Sequence, residues 1–436
     1  MNVYETIVKQ ADALQPELVK IRRDFHKHAE TGWFEMRTSS IIARKLTDLG
    51  YEVLVGEQVC KKDARMGVPS EEALEKHYAW AAENGADPEF LPATRYGMTG
   101  VIGILRCGEG PTVAMRFDID ALGVIESTDE DHKPYKEGFA SVNYGMMHAC
   151  GHDCHATIGL GVAEVLMQIK DQLHGTVKLI FQPSEEGVRG AKSIVENGHL
   201  DDADYVLGNH VTVKTADDPT VVIPGCHGGF ATYKYDVTYR GTSAHAAGSP
   251  HLGNNALLAA ASAVMNLYAI PRHGKGETRI NVGTLVAGSG RNVIADEAKM
   301  ELEVRGATTE INEFVDQYAR RILENSAAIH GCTCEIKLMG GADSMQSDQS
   351  LMDRVTKVCS EKLGIPMNGR LVSYNGGSED FSYMMSRVQE HGGQATFFRV
   401  TGQTTASAHN RKFDIEEHIL ATGVKVFCGV AADIME

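Results

Sequence analysis

The sequence predicts an α/β protein that carries a second, α+β domain as an insertion, and three observations support this. Apolar strand patterns alternate with helical ones from residue 99 to about 210. The texture changes near residues 225–229 to half-exposed, alternating strands. The first pattern then returns near Leu351. These changes divide the chain into residues 1–226 and 341–436 as one domain, with a helical insertion at about 58–97, and residues 227–340 as the inserted one.

Taken in order, Pro16 reads as the first residue of a helix, because Leu18, Ile21 and Phe25 follow at helical spacing. Ile41, Ile42, Leu46 and Leu49 predict a second helix ending on Gly50. Residues 61–92 are polar and alanine-rich, which predicts a solvated helix pair; a lid facing substrate or partner is the other reading. Residues 99–105 and 112–117 read as strands, the second closing on Asp118-Ile119-Asp120. A helix follows Gly151 to about residue 173, residues 176–182 form a buried strand, and a helix near 190–197 precedes a strand at 205–210. Such alternation argues for a largely parallel sheet covered on both faces. In the inserted region, strands at 232–239, 279–287, 298–305 and 334–339 with helices at 254–267 and 311–330 give the βαββαβ order of a ferredoxin-like sandwich. The outer domain resumes with a helix near 351, a strand at 395–400 and a last helix from 416. Hinges are expected near residues 225–229 and 340–342.

Composition narrows the function. Among 436 residues, 42 Lys and Arg face 58 Asp and Glu, a formal charge of −16. An acidic chain lacks the positive field that duplex or anionic-membrane binding draws on. No apolar run approaches the ~20 residues of a membrane span. The expectation is a cytoplasmic protein with no nucleic-acid or membrane partner. Nine scattered cysteines read as reduced thiols, and 18 histidines, many beside Gly, Asp or Cys, suggest metal chemistry.

The densest constellation is the run 147–155. There Cys150, His152 and His155 offer a thiolate and two imidazoles where a loop enters a helix, a donor set suited to a divalent metal. Glu185 and Glu186 follow the buried strand at 176–182, where α/β folds place ligands; one suits a metal, the other a proton. His210 and His409 each follow a strand at the same sheet edge, as ligands or as ordinary polar histidines. Convergence of these segments would make two adjacent metal sites, fit for hydrolysing a stable bond.

Taken together, D-x-D-A-L (118–122), H-A-C-G-H-D-x-H (148–155), P-S-E-E-G (183–187), G-T-S-A-H-A (241–246), G-S-E-D-F (377–381) and His409 resemble the M20 metallopeptidase family along nearly the whole chain. The Cys-Gly-His form is similar to the amidohydrolase branch that includes hippurate and auxin-conjugate hydrolases. D-F-H-x-H-A-E-x-G-W (24–33) and R-M-G-x-P (65–69) narrow the resemblance to members acting on aminobenzoyl-glutamate.

The resemblance implies a zinc-peptidase-like three-layer αβα catalytic domain with a ferredoxin-like lid and dimerisation domain. It implies Cys150, His152, Glu186, His210 and His409 as ligands of two divalent ions, Cys150 bridging, with Mn(II) favoured and Zn(II) as the alternative. Glu185 becomes the general base. Asp120 stands where the wider family has an H-x-D motif, and is assigned to orienting a ligand. His245 is the expected oxyanion donor, in many relatives from a partner chain. Arg291, Asn292 and Arg305 are candidates to hold substrate carboxylates, a guanidinium accepting them in bidentate fashion. The expected reaction is hydrolysis of aminobenzoyl-glutamate, with hippurate-type N-acyl amino acids or small peptides as the alternative. A non-hydrolytic metal-holding subunit is a further rival, and a thiol enzyme built on Cys150 leaves Glu186, His210 and His409 without work. The partner is a second copy or a related B subunit.

Overall fold

The computed structural model describes residues 2–213, 221–367, 372–373 and 377–436, which fall into two compact units. Unit 1 comprises residues 1–227, 346–373 and 380–436, and unit 2 residues 228–345 and 374–379.

In unit 1, β1 (Glu52–Val55), β2 (Val101–Arg106), β3 (Thr112–Asp118), β4 (Thr176–Gln182), β5 (Tyr205–Val213), β6 (Val222–Ile223) and β13 (Gln394–Gly402) build one sheet in the order β1-β2-β4-β3-β5-β13-β6. The four central strands, β4, β3, β5 and β13, are parallel; β1, β2 and β6 pair antiparallel at the flanks. Short β7 (Cys226–His227) pairs parallel with β12 (Val372–Ser373).

Both faces of the sheet are buried. On one side Phe117, Phe181 and Phe398 meet α1 (Val3–Lys27), α5 (His152–Ile169) and α11 (Ile419–Met435), with Phe427 of α11 4.8 Å from both Phe117 and Phe398 between ring centroids. On the other, Phe397 stacks 5.1 Å from Phe381 of α10 (Phe381–Glu390). Adjacent Phe397 and Phe398 point to opposite faces, as strand periodicity requires, and both are fully buried. Unit 1 also holds the shorter helices α4 (Lys133–Lys136), α6 (Ala191–Val195) and α9 (Gln349–Lys357).

Two local expectations change. Pro16 does not start a helix but lies inside α1, which begins earlier with a capping box between Asn2 and Glu5. Buried Val3, Ile7, Ala11, Leu18 and Phe25 run along the helix on both sides of the proline, and their burial outweighs the ~3 kcal/mol an interior proline costs. The 61–92 segment is not a helix pair: it holds one regular helix, α3 (Glu71–Glu83), with 3₁₀ turns around it. Nor is it wholly solvated, since Leu74, Ala81 and Leu91 pack with Met36 of α2 (Met36–Asp48) in a small core.

Unit 2 is a ferredoxin-like sandwich. Strands β8 (Ala231–Arg240), β9 (Thr278–Ala287), β10 (Glu297–Gly306) and β11 (Thr333–Ala342) form an antiparallel sheet in the order β11-β8-β10-β9. Helices α7 (Ala256–Leu267) and α8 (Thr309–Ile329) cover one face, and the alternating burial of β10 leaves the other open. Alanines 256, 259, 260 and 263 are fully buried, so α7 packs close against its neighbours.

Candidate metal centre

The four parallel strands of unit 1 end at one edge, and the segments leaving them carry the donors. The segment after β3 leads to Cys150 and His152, the turn after β4 carries Glu185 and Glu186, β5 itself carries His210, and the segment after β13 reaches His409. Ligand atoms of Cys150, His152 and His210 all lie within 4.8 Å of one another, as do those of Cys150, Glu186 and His409, and those of His152, Glu185 and Glu186. Cys150 Sγ is 3.4 Å from His210 Nε2, and Glu186 Oε1 is 3.7 Å from His409 Nε2 and 3.9 Å from His152 Nε2.

The backbone is bent to achieve this. Gly151 sits at φ +88°, where an added Cβ would collide with Val211. Ser184 (φ +54°), Val188 (φ +60°) and His409 (φ +67°) occupy the left-handed region that costs non-glycine residues about 1 kcal/mol or more. Such strain at a carboxylate pair and a terminal histidine marks a functional loop.

Hydrogen bonds select the tautomers. Asp120 Oδ1 lies 3.3 Å from His152 Nδ1, and the Val211 carbonyl accepts from His210 Nδ1, so Nε2 of each ring keeps its lone pair for the shared space. Asp120 also accepts the N–H of Glu185 (3.0 Å) and of Glu186 (2.9 Å), tying both carboxylates to His152. Among the described residues, His152 Nε2 and Glu186 Oε1 are buried without hydrogen-bond partners. Orphaned buried acceptors facing one another beside a thiol and further imidazoles fit divalent cations, which would satisfy them together. Burial pushes the Cys150 thiol up to about 11 and raises Glu186 to about 7, with Asp120 and Asp118 adding to the latter against His152. Charge collected here needs a positive partner.

His155, one of the three candidates in the 147–155 run, is not available as a ligand. Its Nδ1 is bound to Asp118 Oδ1, and its Nε2 accepts the Val211 N–H at 2.9 Å. Asp118 in turn pairs with buried Arg116 at 2.6 Å. Sequence reasoning had no role for Arg116 or for the Asp118–His155 pair; the D-x-D motif was the available signal. The buried carboxylate of Glu35, which binds the Ser184 N–H, was also missed.

In unit 2, His245 is exposed and its Nδ1 accepts the N–H groups of Ala247 (3.1 Å) and Gly248 (2.9 Å), which leaves Nε2 as the N–H donor. A bridge between His245 and Val293, with Ala246 N donating to Asn292 O at 3.0 Å, sets Arg291 and Asn292 beside it. Arg305 is not part of this group. It lies eight residues along β10 from Glu297, about 27 Å by strand rise, and its Nε and Nη2 bind Glu303 at 3.0 and 2.9 Å.

Comparison with known proteins agrees with this centre. Residues 114–433 match the model of Peptidase family M20/M25/M40. One of the two named subunits of p-aminobenzoyl-glutamate hydrolase, the A-type chain of Escherichia coli, is 41% identical over 98% of each chain. The indole-3-acetyl-aspartic acid hydrolase of Enterobacter agglomerans is 43% identical over 94% of each. Among solved structures, an aminobenzoyl-glutamate utilization protein from Klebsiella pneumoniae superposes with a TM-score of 0.84 at 36% identity, covering 98% of this chain and 97% of its own. A Bacillus subtilis protein described as a dinuclear metal binding peptidase from the M20 family gives 0.65 at 25% identity, covering 97% and 99%. The chain therefore belongs to the M20 peptidase family and is a metal-dependent amidohydrolase.

Proposed function

We propose that the chain hydrolyses the amide bond between an aromatic acyl group and an acidic amino acid, with p-aminobenzoyl-glutamate as substrate and p-aminobenzoate and glutamate as products. The observation that carries the chemistry is Glu185 standing beside a cluster of Cys150, His152, Glu186, His210 and His409 donors. The Escherichia coli and Enterobacter agglomerans relatives are both named for an aromatic acyl group on a dicarboxylic amino acid. The second of them supports indole-3-acetyl-aspartate as the other reading of the substrate.

In this reading Cys150, His152, Glu186, His210 and His409 hold two divalent ions, Cys150 between them. When bound, the ions acidify a water molecule and polarise the scissile carbonyl. Resemblance favours manganese and the soft thiolate favours zinc, so reconstitution with each ion decides. Glu185 takes the proton from the attacking water and returns it to the leaving amine. Asp120 holds His152 and the backbone of the Glu185–Glu186 pair in place. His245, an N–H donor through Nε2, stabilises the developing oxyanion, and Arg291 and Asn292 beside it take a substrate carboxylate. Arg305, committed to Glu303, is the weaker candidate.

Unit 2 also supplies the association surface. Val286 on the edge strand β9 is 72% exposed and Met265 on α7 75%, with Leu285, Leu257, Leu258 and Tyr268 also exposed. An apolar sheet edge of this kind invites pairing with a second copy or with a related B subunit, since two relatives carry names that make them one component of a hydrolase. No helix among the described residues is long and apolar enough to cross a membrane, and we place the enzyme in the cytoplasm.

The test is release of p-aminobenzoate from p-aminobenzoyl-glutamate by the purified chain, stripped of metal and reloaded with Mn or Zn, with indole-3-acetyl-aspartate and hippurate as comparisons. Metal-dependent cleavage favouring the glutamate conjugate supports the proposal. Preference for hippurate would replace it with a general acylase. Glu185→Gln is expected to keep both ions while losing about 10²–10⁴-fold in kcat; near wild-type turnover would remove Glu185 from the role of base.

A further inference from the structure

Two carboxylates bracket the turn into α2, and only one is used by the helix. Glu30 caps it, accepting the N–H of Arg37 (3.0 Å), the N–H of Thr38 (2.8 Å) and the Thr38 hydroxyl (2.8 Å). Glu35 stands at the N-cap position itself yet makes no capping bond. Its side chain is wholly buried and turned the other way, with one oxygen accepting the Ser184 N–H at 2.7 Å and the other the Thr99 hydroxyl at 2.7 Å.

Ser184 is the residue before Glu185, and it holds a left-handed backbone that a serine does not adopt unaided. The same turn presses on it from a second direction, because a Cβ at Gly32 would collide with Ser184 Oγ. The turn is rigid in its own right. Trp33 donates through Nε1 to the Met66 carbonyl at 2.7 Å, and His77 of α3 binds Glu30 at 2.8 Å while stacked on Trp80. A buried carboxyl is costly to a fold unless something requires it, and the group it serves here is the backbone of the catalytic loop.

We propose that Glu35 is a positioning residue for catalysis: by holding the Ser184 N–H it keeps Ser184 left-handed and so aims the Glu185 and Glu186 side chains that follow. The 58–97 insertion, through Met66 and His77, braces the turn that carries it. Burial, with the charge of Asp120 adding, raises the Glu35 carboxyl well above its ordinary range, so a neutral amide of the same shape is a close substitute. The inference rests on the roles given above to Glu185 and Glu186.

The test compares Glu35→Gln, Glu35→Ala and Gly32→Ala with the metal-loaded wild-type enzyme for kcat, KM, bound metal and thermal midpoint. Glu35→Gln keeps an oxygen for the Ser184 N–H and is expected to stay within about threefold of wild type in kcat. Glu35→Ala is expected to lose roughly 30-fold or more in kcat with KM changed less than about threefold and the ions retained. Gly32→Ala leaves Glu35 intact, displaces Ser184 by contact, and is expected to fall at least about tenfold in kcat. Wild-type kcat per folded molecule in Glu35→Ala or Gly32→Ala would overturn the proposal, as would a Gln variant as impaired as the Ala variant. Glu185→Gln run alongside separates the failures: should it remain active, the reading of Glu185 fails first.

Discussion

Asp120 is where a single atom change should report most about the centre. Its carboxylate is buried and serves the Glu185 N–H, the Glu186 N–H and His152 Nδ1 at 3.0, 2.9 and 3.3 Å. Asp120→Asn preserves shape, but an asparagine has one oxygen. If that oxygen keeps the Glu185 N–H and His152, the new NH₂ faces the Glu186 N–H, donor against donor. Leaving one buried donor unpaired costs about 2 kcal/mol, and turning two charge-assisted bonds into neutral ones loses about 1 kcal/mol each. The whole effect is thus about 4 kcal/mol, roughly a thousandfold if all of it fell on one equilibrium. Folding absorbs a share, so the expected loss of metal affinity is about 10–100-fold, with a similar loss in kcat/KM at fixed metal. Calorimetric metal titration of the stripped protein and steady-state release of p-aminobenzoate measure the two. A variant within about threefold of wild type in both would refute the claim that Asp120 orients His152 and the glutamate pair.

Other outcomes follow from charge and assembly. If His245 acts in the partner's site, mixing inactive Glu185→Gln with inactive His245→Ala should restore about a quarter of wild-type activity in randomly formed homodimers, one working site in half of them; no recovery on exchange would place its action within one chain. Val286→Glu puts a charge on the exposed β9 edge and should give a monomer by sedimentation, with activity lost alongside; an unchanged dimer would place the interface elsewhere. His26 is buried between Asp153 (2.8 Å) and Glu126 (2.9 Å); burial opposes its charge, but the two carboxylates prevail and carry it up to about 9 from 6.5. Its charged form therefore stabilises the fold fully below pH 6.5 and ceases to as pH rises through about 9. The denaturation midpoint should decline across that window in wild type but much less in His26→Asn; parallel curves would refute it.

Strand and helix periodicity is a local property, so β4 was legible to the residue and β8 to β11 within two residues at their starts and three at their ends. Motif spacing likewise presented Cys150, His152 and the glutamate pair, since a loop leaving a parallel strand has few places to put its side chains. Pro16 shows where local signals fail: a residue that favours a helix start lies within α1 because buried neighbours on both sides fix the helix. His155 failed for a related reason, its two nitrogens being taken by Asp118 and the Val211 N–H from strands 37 and 56 positions away. Donor types and their order along the chain were determined by the sequence alone. Which lone pair each donor presents, and which acid aims the catalytic loop, were decided by hydrogen bonds such as Glu35 to Ser184, 149 residues apart. Only folding brings such partners within reach, and no periodicity encodes them.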